Sequence, residues 1–426
     1  MRTWAVITPW EVEGVVDYRK LLEEFGISPF AGLIRSIPDP HRLMRRGVIF
    51  GHRDYERILE AIEKRREFSV MSGFMPSGEI HFGHKMTMEE IIWHQKMGAK
   101  AFVAIADMEA HLVRGISWEK TKEIGMIYVK SIIALGLDNK NSLIYFQSKN
   151  EKVKNLAMEL SSEVNFSEMR AIYGLSGESQ ISKVLVSLIQ SADILQPQLK
   201  EFGGPKPVVV PVGADQDPHL RLTRDIASRI SIFSFEKIGN GLRVRSKKEG
   251  MLEKLEGLGF DFRRHSGHLD IFGDSEKIEE EVRKLEVELG GYAFIPPSSI
   301  YHKFTTGLTG GKMSSSKPES YISLLEKPEN AVKKIRNALT GGRATAEEQK
   351  RLGGEPEKCV IFEFYTYHLI EDDKELERIR EDCICGRILC GQCKKFAEDL
   401  LLNFLKQHRE KMDEAEGVLG DYTIIS

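Results

Sequence analysis

The sequence predicts an α/β fold built on a parallel sheet, followed by a largely helical C-terminal part. Three observations carry that reading. Short continuous apolar runs recur at Phe68-Ser69-Val70-Met71, Ala101-Phe102-Val103-Ala104-Ile105-Ala106, Leu143-Ile144-Tyr145-Phe146 and Val208-Val209-Val210-Pro211-Val212-Gly213, as expected of strands covered on both faces. Stretches with helical spacing, residues 85–97 and 118–135, lie between them. After about Pro328 the chain turns helical, with glycine joints at Gly341-Gly342 and Gly353-Gly354.

In chain order, residues 1–67 read as a mixed N-terminal appendage, punctuated by Pro-Trp and Gly, with a helical stretch over 54–66. The strand at 68–71 runs through Ser72-Gly73 into a helix, the first unit of a parallel α/β sheet. Residues 68–327 form the main domain on this reading, with residues 232–297 inserted as a compact β-α-β-β-α unit. Its parts are Leu242-Arg243-Val244-Arg245, a helix over 247–258, short strands near Phe262 and over 269–272, and a charged helix over 275–289. Within it His265-Ser266-Gly267-His268 has metal-like spacing. The turn-forming Gly and the lack of a nearby cysteine favour a hairpin turn instead. Residues 328–426 form a second, helical domain.

A chain of 426 residues with 41% hydrophobic content can bury a large core. A net charge of −3 does not mark a nucleic-acid binder, although residues 35–66 carry a surplus of four positive charges, either a solvated helical face or a local nucleic-acid contact. With no signal peptide and no apolar run of 18 residues, the expectation is a cytoplasmic protein with no membrane association. The five cysteines, four of them between Cys383 and Cys393, argue against a disulfide scaffold in that compartment and leave metal binding or plain thiols.

Two segments carry the chemistry: Pro76-Ser77-Gly78-Glu79-Ile80-His81-Phe82-Gly83-His84, opening a helix, and Lys312-Met313-Ser314-Ser315-Ser316-Lys317-Pro318, in a Gly-rich loop. Each is weak alone; in this order they imply one composite ATP site. Activating a carboxylate with ATP needs no protein nucleophile, only stabilisation of charge spreading over the phosphates. His81 and His84 can donate to phosphate oxygens, Gly83 clears the approach, and the helix N-terminus adds free N–H groups. Lys312 and Lys317 supply mobile charges, and Ser314, Ser315 and Ser316 hydroxyl and backbone donors. The glycines before Lys312 let this loop close in the transition state.

With those motifs the chain resembles the class I aminoacyl-tRNA synthetases, and among them the tryptophan-specific family of archaeal and eukaryotic type. The resemblance runs over most of the chain outside 232–297. It includes Pro9-Trp10, Asp17-Tyr18-Arg19-Lys20-Leu21, Arg45-Arg46-Gly47-Val48-Ile49-Phe50-Gly51-His52-Arg53-Asp54, and Gly213-Ala214-Asp215-Gln216-Asp217-Pro218-His219-Leu220-Arg221-Leu222-Thr223-Arg224-Asp225. The stretch from Gly341 to Gln349, followed by Gly353-Gly354, belongs to the same pattern. It implies a Rossmann-type catalytic domain, a helical anticodon-binding domain and a homodimer. It further implies ATP with Mg2+, L-tryptophan and tRNA(Trp) as partners. His81, His84, Lys312, Ser314, Ser316 and Lys317 would be catalytic, and Phe74, Gly83, Gly213, Asp215 and Met313 would bind ATP. The amino acid would meet Met71, Gly73, Glu109, Gln190, Asp193 and Gln216, with Gln190, Gln216 and Glu109 near its α-amino group. The tRNA would meet the basic 35–66 segment and the C-terminal helices, mostly through phosphates.

Tyrosine-specific enzymes share the fold and both ATP motifs, so the pocket must decide. A phenol donates and accepts, whereas indole only donates. One acceptor, Asp193, beside the apolar thioether of Met71 therefore suits tryptophan. Met71 is also a departure, because eukaryotic tryptophan enzymes carry tyrosine there. A non-catalytic, synthetase-like RNA-binding protein is the reading from another class, and the intact His81, Gly83, His84, Lys312 and Ser314 speak against it. The spacing of Cys359, Cys383, Cys390 and Cys393, with Cys385 spare, resembles the set holding a [4Fe–4S] cluster in some bacterial tryptophan enzymes; zinc or reduced thiols are the alternatives. His94 and His111 are expected to be satisfied or surface histidines without a catalytic role.

Overall fold

The computed structural model describes residues 17–311, 313 and 317–426, and the backbone of 6–7 and 12–13. Its strands, in chain order, are β1 Val6–Ile7, β2 Val12–Glu13, β3 Ser28–Pro29, β4 Ile49–Arg53, β5 Ser69–Phe74, β6 Lys100–Ile105, β7 Ser142–Phe146, β8 Val208–Gly213, β9 Phe233–Ile238, β10 Gly241–Ser246, β11 Asp261–Arg264, β12 Leu269–Phe272, β13 Ser298–His302 and β14 Ile424–Ile425. The main sheet has the order β14-β7-β6-β5-β8-β13-β4-β3. It is parallel from β14 to β13, and β4 and β3 close the edge antiparallel. Strand order reverses between β5 and β8, which opens a crevice at their carboxyl ends.

Strand alternation divides the core in two. Ala101, Val103 and Ile105 of β6 face one apolar cluster with Ile144 and Phe146; Phe102 and Ala104 face another with Leu143 and Tyr145. The first is covered by the Phe82–Lys96 and Trp118–Ala134 helices and, from the C-terminal part, by Val360–Phe364 and Cys390–Val418. The second is covered by Glu151–Leu160, Phe166–Tyr173, Ile181–Leu195 and Asp217–Ile230. The continuous apolar runs in the sequence follow from this two-sided cover.

Both flanking segments complete the sheet: β3 and β4 come from the expected N-terminal appendage, and β14 from the C-terminal part. The inserted unit has one strand more than the sequence suggested. Phe233–Ile238 pairs with β10 in a four-stranded antiparallel sheet, order β11-β12-β10-β9, while the helix expected over 247–258 shortens to Leu252–Leu255 and a 3₁₀ turn. Its apolar face rests on Ile278 and Val282 of the Ser275–Glu288 helix. The His265–His268 segment is a tight turn, with the His265 N–H donating to the His268 carbonyl at 2.9 Å.

Candidate active site

A cavity of about 410 Å³ opens at the carboxyl ends of β5 and β8. Met71, Gly73 and Phe74 line it from β5, and Gly213, Asp215 and Gln216 from the end of β8 and the turn beyond it. His81, Gly83 and His84 reach it from the start of the Phe82–Lys96 helix, Glu109 from Asp107–Arg114, and Gln190 and Asp193 from Ile181–Leu195. Met313 closes one side. Lys317 is exposed and does not line the cavity. Lys312, Ser314 and Ser316, like Pro9-Trp10, lie outside the described residues.

The first motif folds by capping itself. The Gly83 N–H donates to His81 Nδ1 at 3.1 Å, and the His81 N–H donates to His84 Nδ1 at 3.2 Å. Both Nδ1 atoms therefore accept, so each neutral ring carries its proton on Nε2. Burial holds His81 well below the usual imidazole range and His84 down to about 4, so these are uncharged donors at neutral pH. Gly83 is required here, because a Cβ would sit 2.9 Å from the His81 ring. The turn is pinned from behind, where the Leu324 N–H donates to the Ile80 carbonyl at 2.9 Å.

At the other end of the cavity Asp193 is buried, and burial raises its carboxyl to about 7. The Tyr145 hydroxyl donates to its Oδ1 at 2.8 Å and the Gln147 amide to its Oδ2 at 2.6 Å. Burial likewise raises Glu109 to about 7. Gln190 donates to Gln216 at 3.0 Å, which joins two of the residues expected at the α-amino group.

Gln147 went unread in the sequence. It lines the cavity, donates to Asp193, and leaves its Oε1 buried without a hydrogen-bond partner. The signal that would have found it is its place one residue beyond a buried strand, at the ligand-binding end of the sheet. Strand β13 was missed as well, and with it His302, Phe304 and Thr305 on the cavity wall. The two other histidines singled out in the sequence, His94 and His111, are both hydrogen-bonded. His94 is buried between the Tyr55 hydroxyl and the Glu90 carbonyl, and His111 bonds the Ile116 carbonyl at 2.7 Å.

Several cations of the basic 35–66 segment are paired within the protein, while Arg35 and Arg65 are exposed. Arg42 is buried and paired with Glu89 and Glu371 at 2.5 and 2.6 Å. Arg45 and Arg46 both bond Asp373 at 2.8 Å, and Arg46 also donates to the Thr366 and Ile370 carbonyls. Arg57 pairs with Glu279, and Lys64 and Arg66 with Glu276. These cations fasten the N-terminal segment to the C-terminal helices and the insert. Two of the quoted motifs also lock together, through Arg53 with Asp217 at 2.8 Å and Asp54 with Arg224 at 2.5 Å.

Cys359, Cys383, Cys390 and Cys393 line one small apolar cavity, while Cys385 is exposed. The glycine joints press against it: a Cβ on Gly342 would lie 2.5 Å from Cys390 Sγ, and one on Gly354 2.7 Å from Cys383 Sγ. Among the described residues no three cysteine sulfurs lie within 4.8 Å of one another. A zinc–thiolate tetrahedron has edges of roughly 3.8 Å.

No helix among the described residues is long and apolar enough to cross a membrane. The family model of class I tRNA synthetases for tryptophan and tyrosine matches residues 63–257 and 275–406. The chain is 65% identical to the tryptophan–tRNA ligase of Archaeoglobus fulgidus, over 98% of this chain and 99% of that one, and 53% identical to that of Methanosarcina acetivorans, over 98% of each. The crystal structure of tryptophanyl-tRNA synthetase from Aeropyrum pernix superposes with a TM-score of 0.76 at 41% identity, covering 96% of each chain. With this fold and this cavity, the chain belongs to the class I tRNA synthetases, in the tryptophan–tRNA ligase family.

Proposed function

We propose that the cavity binds ATP, as its Mg2+ complex, and L-tryptophan side by side, and that the protein makes tryptophanyl-adenylate and passes the acyl group to tRNA(Trp). The observation that carries this reading is the convergence on one cavity of every described residue expected there except Lys317. The tryptophan carboxylate attacks the α-phosphorus, and pyrophosphate leaves with the electron pair of the broken P–O bond. A ribose hydroxyl at the tRNA 3′ end then attacks the acyl carbon, and AMP leaves. His81 and His84 serve as neutral Nε2–H donors to the phosphates, aided by the helix N-terminus behind them. Lys317 stands outside the cavity, close in sequence to Met313, which lines it.

The amino acid lies at the Asp193 end. Glu109, Gln190 and Gln216 meet the ammonium group, and Met71 forms the apolar wall for the ring. Asp193, already engaged by Tyr145 and Gln147, has a lone pair left on each oxygen for the indole N–H. Gln147 Oε1 is a second buried acceptor beside it. Two buried acceptors at this end favour indole, which only donates.

The convergence of Cys359, Cys383, Cys390 and Cys393 on one small cavity supports a metal group there, a [4Fe–4S] cluster or a zinc ion. Held by Cys359, Cys383, Cys390 and Cys393, such a group would supply structural cross-linking of the Asp373–Ile384 and Cys390–Val418 helices, close to the helical region assigned to the anticodon. A homodimer is supported by the exposed apolar Met158, Phe166, Ile181 and Leu185 on neighbouring helices. A cytoplasmic location is part of the same reading.

ATP–pyrophosphate exchange with tryptophan, with tyrosine and with neither tests the reading. Exchange with tryptophan alone supports it. Exchange with tyrosine overturns the pocket assignment, and exchange with neither overturns the activity.

A further inference from the structure

The turn at His265–His268 does more than reverse the chain. Antiparallel register places Arg263 opposite Asp270, and Asp270 opposite Arg243 on the next strand. His265 stands opposite His268 across the turn, joined by the 2.9 Å backbone bond. Because side chains alternate, Leu269 and Ile271 enter the insert's core, and Asp270 emerges on the other face with His268 and His265. The two imidazoles stack, with centroids 4.4 Å apart and planes 12° apart. His265 Nε2 lies 3.4 Å from Asp270 Oδ2, and His268 Nε2 lies 3.6 Å from Asp270 Oδ1.

Those separations match the edge of a metal-centred tetrahedron, about 3.4 Å for ligands at roughly 2.0–2.2 Å from zinc. All three ligand atoms lie within 4.8 Å of one another. Both Nε2 atoms are shielded from solvent, yet neither makes a hydrogen bond. An ion pair alone does not account for this. Arg243 holds Asp270 through two hydrogen bonds, at 2.8 and 3.2 Å, and contributes nothing to the imidazole nitrogens. Each carboxylate oxygen has a second lone pair, so Arg243 can orient Asp270 while Asp270 binds a cation.

We propose that His265, His268 and Asp270 form a three-ligand site for a divalent transition metal of the zinc class, bound at the β11–β12 hairpin of the insert. Two imidazoles and one carboxylate select such an ion over Mg2+ or Ca2+, which prefer oxygen ligands. The histidine side chains are 38% and 22% exposed, so the hairpin lies at the surface although both Nε2 atoms are shielded. The ion staples the tip of the hairpin; it stands apart from the adenylate cavity and from the four cysteines. The hairpin turn and the metal site are one structure, because the two-residue turn is what brings the two rings together.

Equilibrium dialysis of the full chain against micromolar zinc tests this. One equivalent is expected that His265→Ala/His268→Ala loses and that Cys390→Ser/Cys393→Ser retains. Crystals of the unsubstituted chain grown with zinc give the same answer without a variant: an anomalous difference peak between the three side chains is expected. Zinc content unaffected by the histidine pair, or no peak at the hairpin, overturns the proposal.

Discussion

At the scale of single residues, the electrostatics of the cavity set how it discriminates. Glu109 and Asp193 both sit near 7 because burial disfavours their charged forms. Above that value they are ionised and, on the proposed reading, would attract the ammonium group and the indole N–H; below it they protonate and that attraction would be lost. The KM for tryptophan is therefore expected to rise as pH falls from 8 to 6 while the KM for ATP holds steady, and Glu109→Gln should flatten the profile. Steady-state kinetics across that range checks it. Gln147→Leu should raise the KM for tryptophan about 10-fold, since it removes a buried acceptor and the donor to Asp193 Oδ2, leaving Tyr145 on Oδ1. An unchanged KM would remove Gln147 from the site. Asp193 and Met71 were named from the family resemblance, and both line the cavity. Gln147 was not: its importance comes from meeting Asp193 across 46 positions of chain, a contact that neither local spacing nor composition encodes.

At the scale of elements, the segment around Arg42–Arg46 works as a clamp. Arg42 and Arg46 have side chains only 4% and 6% exposed; Arg42 meets Glu89 of the Phe82–Lys96 helix and Glu371, and Arg46 meets Asp373 and the Thr366 and Ile370 carbonyls. Breaking a buried pair by removing one partner costs about 3–5 kcal/mol. Arg42→Ala and the pair Arg45→Glu/Arg46→Glu should accordingly lower the unfolding midpoint and reduce adenylate formation and tRNA charging together. Denaturant unfolding beside both assays decides it; loss of charging alone, at full stability, would restore these arginines to the tRNA surface. Their positive surplus was plain in the sequence, but the acids that neutralise it, such as Glu371 and Asp373, lie more than three hundred residues away. Strands β5 to β8 were readable because they are continuous apolar runs. Strand β13 and the insert's β9 were not, because Ser298-Ser299 and Glu236-Lys237 interrupt the apolar signal.

At the scale of the whole molecule, buried histidines shape the response to acid. Burial depresses His41 and His219 to about 3, and His84, His94 and His408 to about 4, each far below the unfolded value near 6.5. As pH falls through 6.5 the unfolded chain takes up protons that the folded chain refuses, so stability declines until about pH 4. Glu109 and Asp193 act in the opposite sense, because the folded chain gains their protons from pH 7 downward, but they are outnumbered. Thermal unfolding should show a steep fall in midpoint between pH 6.5 and 4; a flat midpoint would mean that these rings are hydrated. The α/β sheet, its crevice and the adenylate motifs were all foreseeable from sequence. The way both ends of the chain complete the sheet was not, since two-residue strands such as β3 and β14 have no periodicity to read.

The most direct test of the account is a crystal structure of the full chain with a non-hydrolysable tryptophanyl-adenylate analogue. The account predicts the indole between Met71 and Asp193, with its N–H within hydrogen-bond distance of Asp193 or Gln147, and the phosphate beside His81 and His84. An analogue seated elsewhere, or with its ring turned away from Asp193, would contradict it.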